Sequence, residues 1–287
     1  MVALRAGPVQ AAHTQNRVAM KTAVPVVFDP ASLPSPPAIV MRMVRLMADP
    51  STHLHDVLDL LRTDAALSAQ TLAACNCVVN HRGHTVNSLE AAVVRLGYTE
   101  LNRIVCATAF RYVFDAKTPL YTESADILWH RSVYAAVAME ELTDDPAEKD
   151  EGYLAGLLHL AGVFLVSKLY PHEGAPLIEA NALVRGGEDE LALLGQRSGE
   201  IGAQALAAWG LPRRVCEAVR WHHEPASAGE AAGMAQRLHT AALLAVTATA
   251  RRGCPHAVMM TRCFTDPKDP LHTVATRAGV RARVLAR

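Results

Sequence analysis

Aromatic residues are scarce in this chain: three tryptophans, six tyrosines and five phenylalanines make up 5% of 287 residues. Strands draw on aromatic and β-branched side chains, so this shortage argues against a strand-rich fold. Aliphatic and alanine-rich segments at helical spacing argue instead for an all-α protein. Neither sign of charge is in excess, with 28 basic and 28 acidic residues. A dedicated nucleic-acid binder carries a basic surplus over a whole domain, which leaves room here only for a local patch. No apolar run is long enough to cross a bilayer. The longest, Tyr153–Val166, has fourteen residues and suits a buried helix. CxxC pairs are missing too, and Cys75-Asn-Cys77 has no second pair to complete a zinc site. The six cysteines therefore read as reduced core thiols. Ser68, Ser132 and Ser198 lack a Gly-x-Ser-x-Gly context, and no phosphate-binding glycine loop is present.

What is present is a succession of short helices. Residues 1–32 read as a flexible tail of a cytoplasmic protein, since Ala23–Phe28 is short and broken by Pro25. Leu33-Pro-Ser-Pro-Pro37 gives an extended entry, after which Ile39, Val40, Met43, Val44 and Met47 recur at helical spacing until Asp49-Pro50. A second helix is expected after a Ser51/Thr52 cap, a third after Asp64, and a fourth from a capping box at Asn87-Ser-Leu-Glu90. Thr99 is expected to cap a fifth. These helices make an N-terminal lobe over 33–115, with the boundary in Asp115–Glu123. A second helical lobe follows over 120–252: helices around Ile127–Leu142, one apolar helix over 151–170, then Ser198–Trp209, Pro212–His223 and a long alanine-rich helix near Glu230–Arg252. Residues 253–287 read as a tail, weakly structured or forming a short helix.

Three blocks carry a resemblance to a known family. They are Leu33-Pro-Ser-Pro-Pro-Ala38 with Arg62-Thr-Asp-Ala-Ala-Leu-Ser68; then Asn87-Ser-Leu-Glu-Ala-Ala-Val-Val-Arg-Leu-Gly97; then Gly199-Glu-Ile-Gly-Ala203 with Trp209-Gly-Leu-Pro212 and His222-His-Glu-Pro225. In this order and spacing they resemble the HDOD family, non-enzymatic-looking relatives of the histidine-aspartate metal-dependent phosphohydrolases. The resemblance runs from about 33 to 250 and implies a lobe shaped like those hydrolases in a bacterial signalling protein.

The resemblance also indicates where a hydrolase would keep its metal ligands. A His-Asp pair belongs in the buried run, and here it reads His159-Leu160. The first histidine falls at Arg131 in Trp129-His-Arg-Ser132, a fixed cation that cannot ligate a metal. His130 lies one residue away, about 100° around the helix, so it does not substitute. A third histidine falls at Ser198 and a distal carboxylate at Ala242. His159, His222 and His223 remain as remnants.

Each residue also has a plainer reading. His159 suits a core histidine satisfied by a backbone carbonyl or a water, and His222-His223 suits a helix C-terminus where imidazoles cap carbonyls. Trp129, Trp209 and Trp221 read as core anchors. His81 and His84 are too few for a metal loop. Arg277, Arg281, Arg283 and Arg287, with no acid in residues 271–287, could touch phosphate or an acidic surface, or form a frayed basic end.

The sequence therefore predicts a regulatory module that binds a protein partner, with no cofactor, no metal and no membrane, and with His130, Arg131, His159, Ser198 and His222 lining a cleft. Nucleic acid would touch it only weakly, through the basic tail. Two other readings stand beside this one: a divergent metal-dependent phosphohydrolase of nucleotides or cyclic dinucleotides, and a nucleotide sensor using Arg131.

Overall fold

A helix that is apolar on every side belongs in the middle of a protein. The segment Ala125–Leu142 comes near to this, with eleven buried residues from Leu128 to Met139. The computed structural model describes residues 38–48, 51–79, 86–111, 124–169, 188–249, 268 and 271–285. Its helices in chain order are α1 (Ala38–Ala48), α2 (Leu54–Arg62), α3 (Ala65–Val79), α4 (Leu89–Leu96), α5 (Tyr98–Arg111), α6 (Ala125–Leu142), α7 (Lys149–Leu158), α8 (Ala161–Leu169), α9 (Glu188–Leu194), α10 (Ser198–Ala208), α11 (Arg213–Trp221), α12 (Ala232–Thr249) and α13 (His272–Leu285). Among the described residues there is no strand, and the fold is all-α.

The first five helices close on one another through Val40, Met43, Val57, Leu61, Leu67, Leu101 and Phe110, all fully buried. Around α6 pack α7, α12 and α13, while α10 rests on α8 and α11. One continuous apolar core joins both groups, running from Val40 to Ala282. Cys75, Cys106 and Cys216 lie in that core as free thiols. Trp129 and Trp209 are buried, and Trp221 is half-buried with its indole N–H donating to Glu217.

Several helix starts differ from the sequence expectation. Asp64 does cap α3, accepting from the Leu67 N–H at 2.9 Å. Thr52 does not cap α2: its hydroxyl donates back to Leu46, and His53 holds the N-cap position with its own N–H donating to Asp56. The cap of α4 is Ser88, not Asn87, because Ser88 Oγ accepts from the Ala91 N–H. Glu90 faces outward to Arg62. Helix α5 already begins at Tyr98, so Thr99 lies within its first turn.

The largest departure is in the apolar run. Expected as one helix over 151–170, it breaks at His159-Leu160 into α7 and α8. Two glycines account for the corner. A Cβ on Gly156 would stand 2.5 Å from the Ala136 Cα, so α7 lies with its backbone directly on α6. A Cβ on Gly162 would stand 1.8 Å from the Ser198 carbonyl oxygen, so α8 crosses α10 equally closely. The two contacts press the chain onto different partners on either side of the break.

The tail also gains definition. Residues 272–285 form a 14-residue helix docked on α6, where Tyr134 Oη donates to the Ala275 carbonyl at 2.7 Å. The expected loop His81–His84, the expected lobe boundary at 115–123 and Arg287 lie outside the described residues, as does the side chain of Arg283.

Candidate functional site

The corner between α7 and α8 places His159 in the interior, 2% exposed. Its Nδ1 lies 2.7 Å from the Gly156 carbonyl oxygen. A carbonyl only accepts, so Nδ1 carries the proton and Nε2 keeps its lone pair. His222 repeats the arrangement as the C-cap of α11: it is 1% exposed, with Nδ1 donating to the Val219 carbonyl at 2.7 Å. These are the carbonyl partners that the plainer sequence reading gave both residues.

The two imidazoles meet edge to face, with ring centroids 5.7 Å apart, and His223 lies 4.0 Å beyond His222. His239 of α12 completes the group, its Nδ1 donating to the His222 carbonyl at 2.7 Å. Sequence reading passed over His239. Its one signal was its place three residues before Ala242, the position that the resemblance marks for a carboxylate. Gly199 lets the start of α10 come up to this group, since a Cβ there would lie 3.0 Å from the Val219 oxygen and 3.5 Å from His222 Cε1.

Electrostatics keep His159, His222 and His223 neutral. Burial pushes His159 down to about 3, helped by the neighbouring His222 and by the charge of Arg131. Burial likewise holds His222 down to about 4, and burial with the surrounding imidazoles lowers half-buried His223 well below the ordinary histidine range. His159 Nε2, His222 Nε2 and His223 Nδ1 have no hydrogen-bond partner.

Neutral imidazoles with free lone pairs are metal donors in kind, and a carbonyl on the far nitrogen is their usual support. The rest of the donor set is wrong for a cation. Leu160 and Ala242 are hydrocarbons buried in the core, and Arg131 brings a positive charge. Among the described residues no group of three or more His, Cys, Asp or Glu side chains could hold a metal ion. These residues do not fit the hydrolase cation.

The expected cleft residues do not line one surface. Arg131 is 5% exposed and donates Nε to Thr249 Oγ1 at 2.9 Å, inside the α6–α12 contact. His130, one residue earlier, is exposed and borders a separate cavity of about 600 Å³ with Tyr134, Thr247, Thr249 and Gly279. Ser198 is 5% exposed, and its N–H donates to the buried carboxylate of Glu190 at 2.7 Å. His159, Ser198, His222 and Arg131 are thus interior groups, because each sits where two helices cross, and only His130 faces outward.

The HDOD domain family model matches residues 33–225, two-thirds of the sequence. The chain belongs to the HDOD domain family. A protein from Marinobacter aquaeolei, provisionally named a signal transduction protein, is similar in fold with a TM-score of 0.69 at 21% identity, over 99% of this chain and 67% of its own. A protein from Shewanella amazonensis, provisionally named a phosphohydrolase, gives 0.67 at 22% identity, over 90% of this chain and 95% of its own. An HDOD domain protein of unknown function from Geobacter sulfurreducens gives 0.59 at 19% identity, over 97% and 93%. An uncharacterised protein of Treponema pallidum is 26% identical over 197 residues, which are 67% of this chain and 37% of that protein. The HDOD chain thus spans little more than a third of that relative. Among its described residues no helix is long and apolar enough to cross a membrane.

Proposed function

We propose that this HDOD chain is a non-catalytic regulatory module that acts by binding a protein partner, with a degenerate remnant of the hydrolase metal site at its centre. The observation that carries the reading is the His159–His222–His223–His239 cluster. It keeps imidazoles and their carbonyl supports, yet has Leu160 and Ala242 where carboxylates would offset a cation's charge and Arg131 where another histidine would stand. Water activation by a divalent ion needs that charge balance. A hydrocarbon and a guanidinium in its place favour packing over chemistry. The kinship with a protein named for signal transduction supports a regulatory role.

The sensor alternative loses its anion contact, since the Arg131 guanidinium is turned into the core onto Thr249. The hydrolase alternative is tested directly. Purified protein, dialysed against manganese, iron or zinc and analysed for metal, is expected to hold far less than one equivalent. It should also cleave linear and cyclic dinucleotides no faster than a His159→Ala variant. One equivalent of metal lost in His159→Ala, with hydrolysis lost alongside, overturns the reading.

A further inference from the structure

The four tail arginines were candidates for phosphate contacts, but the two whose side chains are described face carboxylates. Arg281 stands among three: Nη2 lies 2.7 Å from Glu100 on α5, and Nη1 lies 3.1 Å from Glu140 and 3.8 Å from Glu141 on α6. Arg277, one helical turn earlier, reaches Glu141 at 3.2 Å. The carboxylates belong to two helices fixed in the core, and the cations belong to α13, which lies beyond the stretch matched by the family.

Among the described side chains of α13, Ala275, Ala278 and Ala282 are buried and Val274 is partly covered, as is Leu271 just before the helix. Its ion pairs are part-exposed, Arg281 at 27% and Arg277 at 65%. Such pairs are screened by salt. The seat does not depend on its occupant. Glu140 also holds Arg103, buried to 8%, at 3.0 Å, and α5 and α6 are anchored by Leu101, Ile104, Val137 and Met139. Register is set by Tyr134. Its hydroxyl bonds the Ala275 carbonyl, and its ring lies 3.6 Å from where a Cβ on Gly279 would be, so a bulky residue there would lift the helix.

We propose that Glu100, Glu140, Glu141 and Tyr134 form a docking seat for a basic amphipathic helix, occupied in cis by α13 and open to a partner helix of the same chemistry. That partner carries two arginines four residues apart with a small residue between them over Tyr134, as Arg277, Gly279 and Arg281 do here. This names the partner class for the protein-binding reading and rests on that reading only for the partner's existence. The seat and its exchange are tested without reference to metal or hydrolysis.

The probe is a labelled synthetic peptide of residues 271–285, added to the full-length chain and to a full-length Arg277→Glu, Arg281→Glu variant whose own helix no longer fits. The variant is expected to bind the peptide at least about tenfold more tightly than the wild type, where the tethered helix competes at high effective concentration. Binding should weaken about tenfold between roughly 0.05 and 0.5 M salt, and a peptide with both arginines changed to glutamine should not bind. Equal binding by both chains, or no binding by a variant that still melts cooperatively, overturns the proposal. Hydrogen exchange on the wild type keeps the test open if the variant does not fold. Amides of 275–285 should lose protection at high salt while those of 232–249 keep theirs, and unchanged protection of the tail helix counts against the seat.

Discussion

Leu160 shows how one side chain can decide between a site and a core. It is 2% exposed and follows a histidine whose Nε2 is free. Leu160→Asp restores the His-Asp pair of a hydrolase on paper. The substitution removes buried methyl groups, worth roughly 2–5 kcal/mol, and brings a carboxyl that must pair or stay protonated at a further 1–3 kcal/mol or so. Arg131 is already engaged with Thr249. The variant is expected to melt well below wild type, with manganese giving no recovery. A variant as stable as wild type and raised further by manganese would mean a dormant metal site. The same burial predicts a pH response. The unfolded imidazoles take up protons near 6.5, while folded His159 and His222 resist until about 3 and about 4. Stability is therefore full above about pH 6.5 and is lost as pH falls below it, at about 1.4 kcal/mol per unit for each histidine. Urea midpoints at pH 7 and pH 5 should differ accordingly, and His159→Gln should flatten the slope by about one proton. A flat profile in the wild type would show that these rings are hydrated.

Elements were legible wherever local chemistry placed them. Asp64 capped α3 as read, and the proline-bounded start and the spacing of Val40 and Met43 marked α1. What could not be read came from tertiary contact. Tyr153–Val166 is apolar throughout except for His159, so nothing local predicts a break. The break follows from Gly156 pressing on α6 and Gly162 on α10, contacts about 20 and 40 residues away in sequence. The cap of α4 was misread by one residue because Asn87 and Ser88 are both good caps. Only Ser88 has its side chain on the free N–H of Ala91, since Glu90 is drawn out to Arg62. Ser88→Ala should therefore cost roughly 0.5–2 kcal/mol in chemical denaturation, and Asn87→Ala should cost much less. The reverse order would restore the capping box read from the sequence.

At the scale of the molecule, the histidine group gathers residues from two separate helix ends and a third helix, 80 positions apart between His159 and His239. Sequence marked three of the four because the family pattern placed them. It could not show that Arg131 turns inward while His130 turns out, which depends on the packing of α12 against α6. The two helical groups that the sequence separates also share more than a boundary. Tyr153 Oη donates to the Arg103 carbonyl at 3.2 Å, Arg103 pairs with Glu140 at 3.0 Å, and the apolar core continues from Val40 to Ala282. Chains of this length often unfold in stages, first where few contacts cross. Here buried contacts cross throughout, and a buried pair such as Arg103–Glu140 is costly to open on one side. The two groups should melt together. Trp129, Trp209 and Trp221 all lie in the second group, so their fluorescence reports chiefly on it, while far-ultraviolet circular dichroism reports both. The two signals are expected to share one midpoint, and Arg103→Met should lower that midpoint without splitting it. A dichroism transition several degrees below the fluorescence one would mean that α1–α5 form a separately folding lobe, joined to the rest only at its surface.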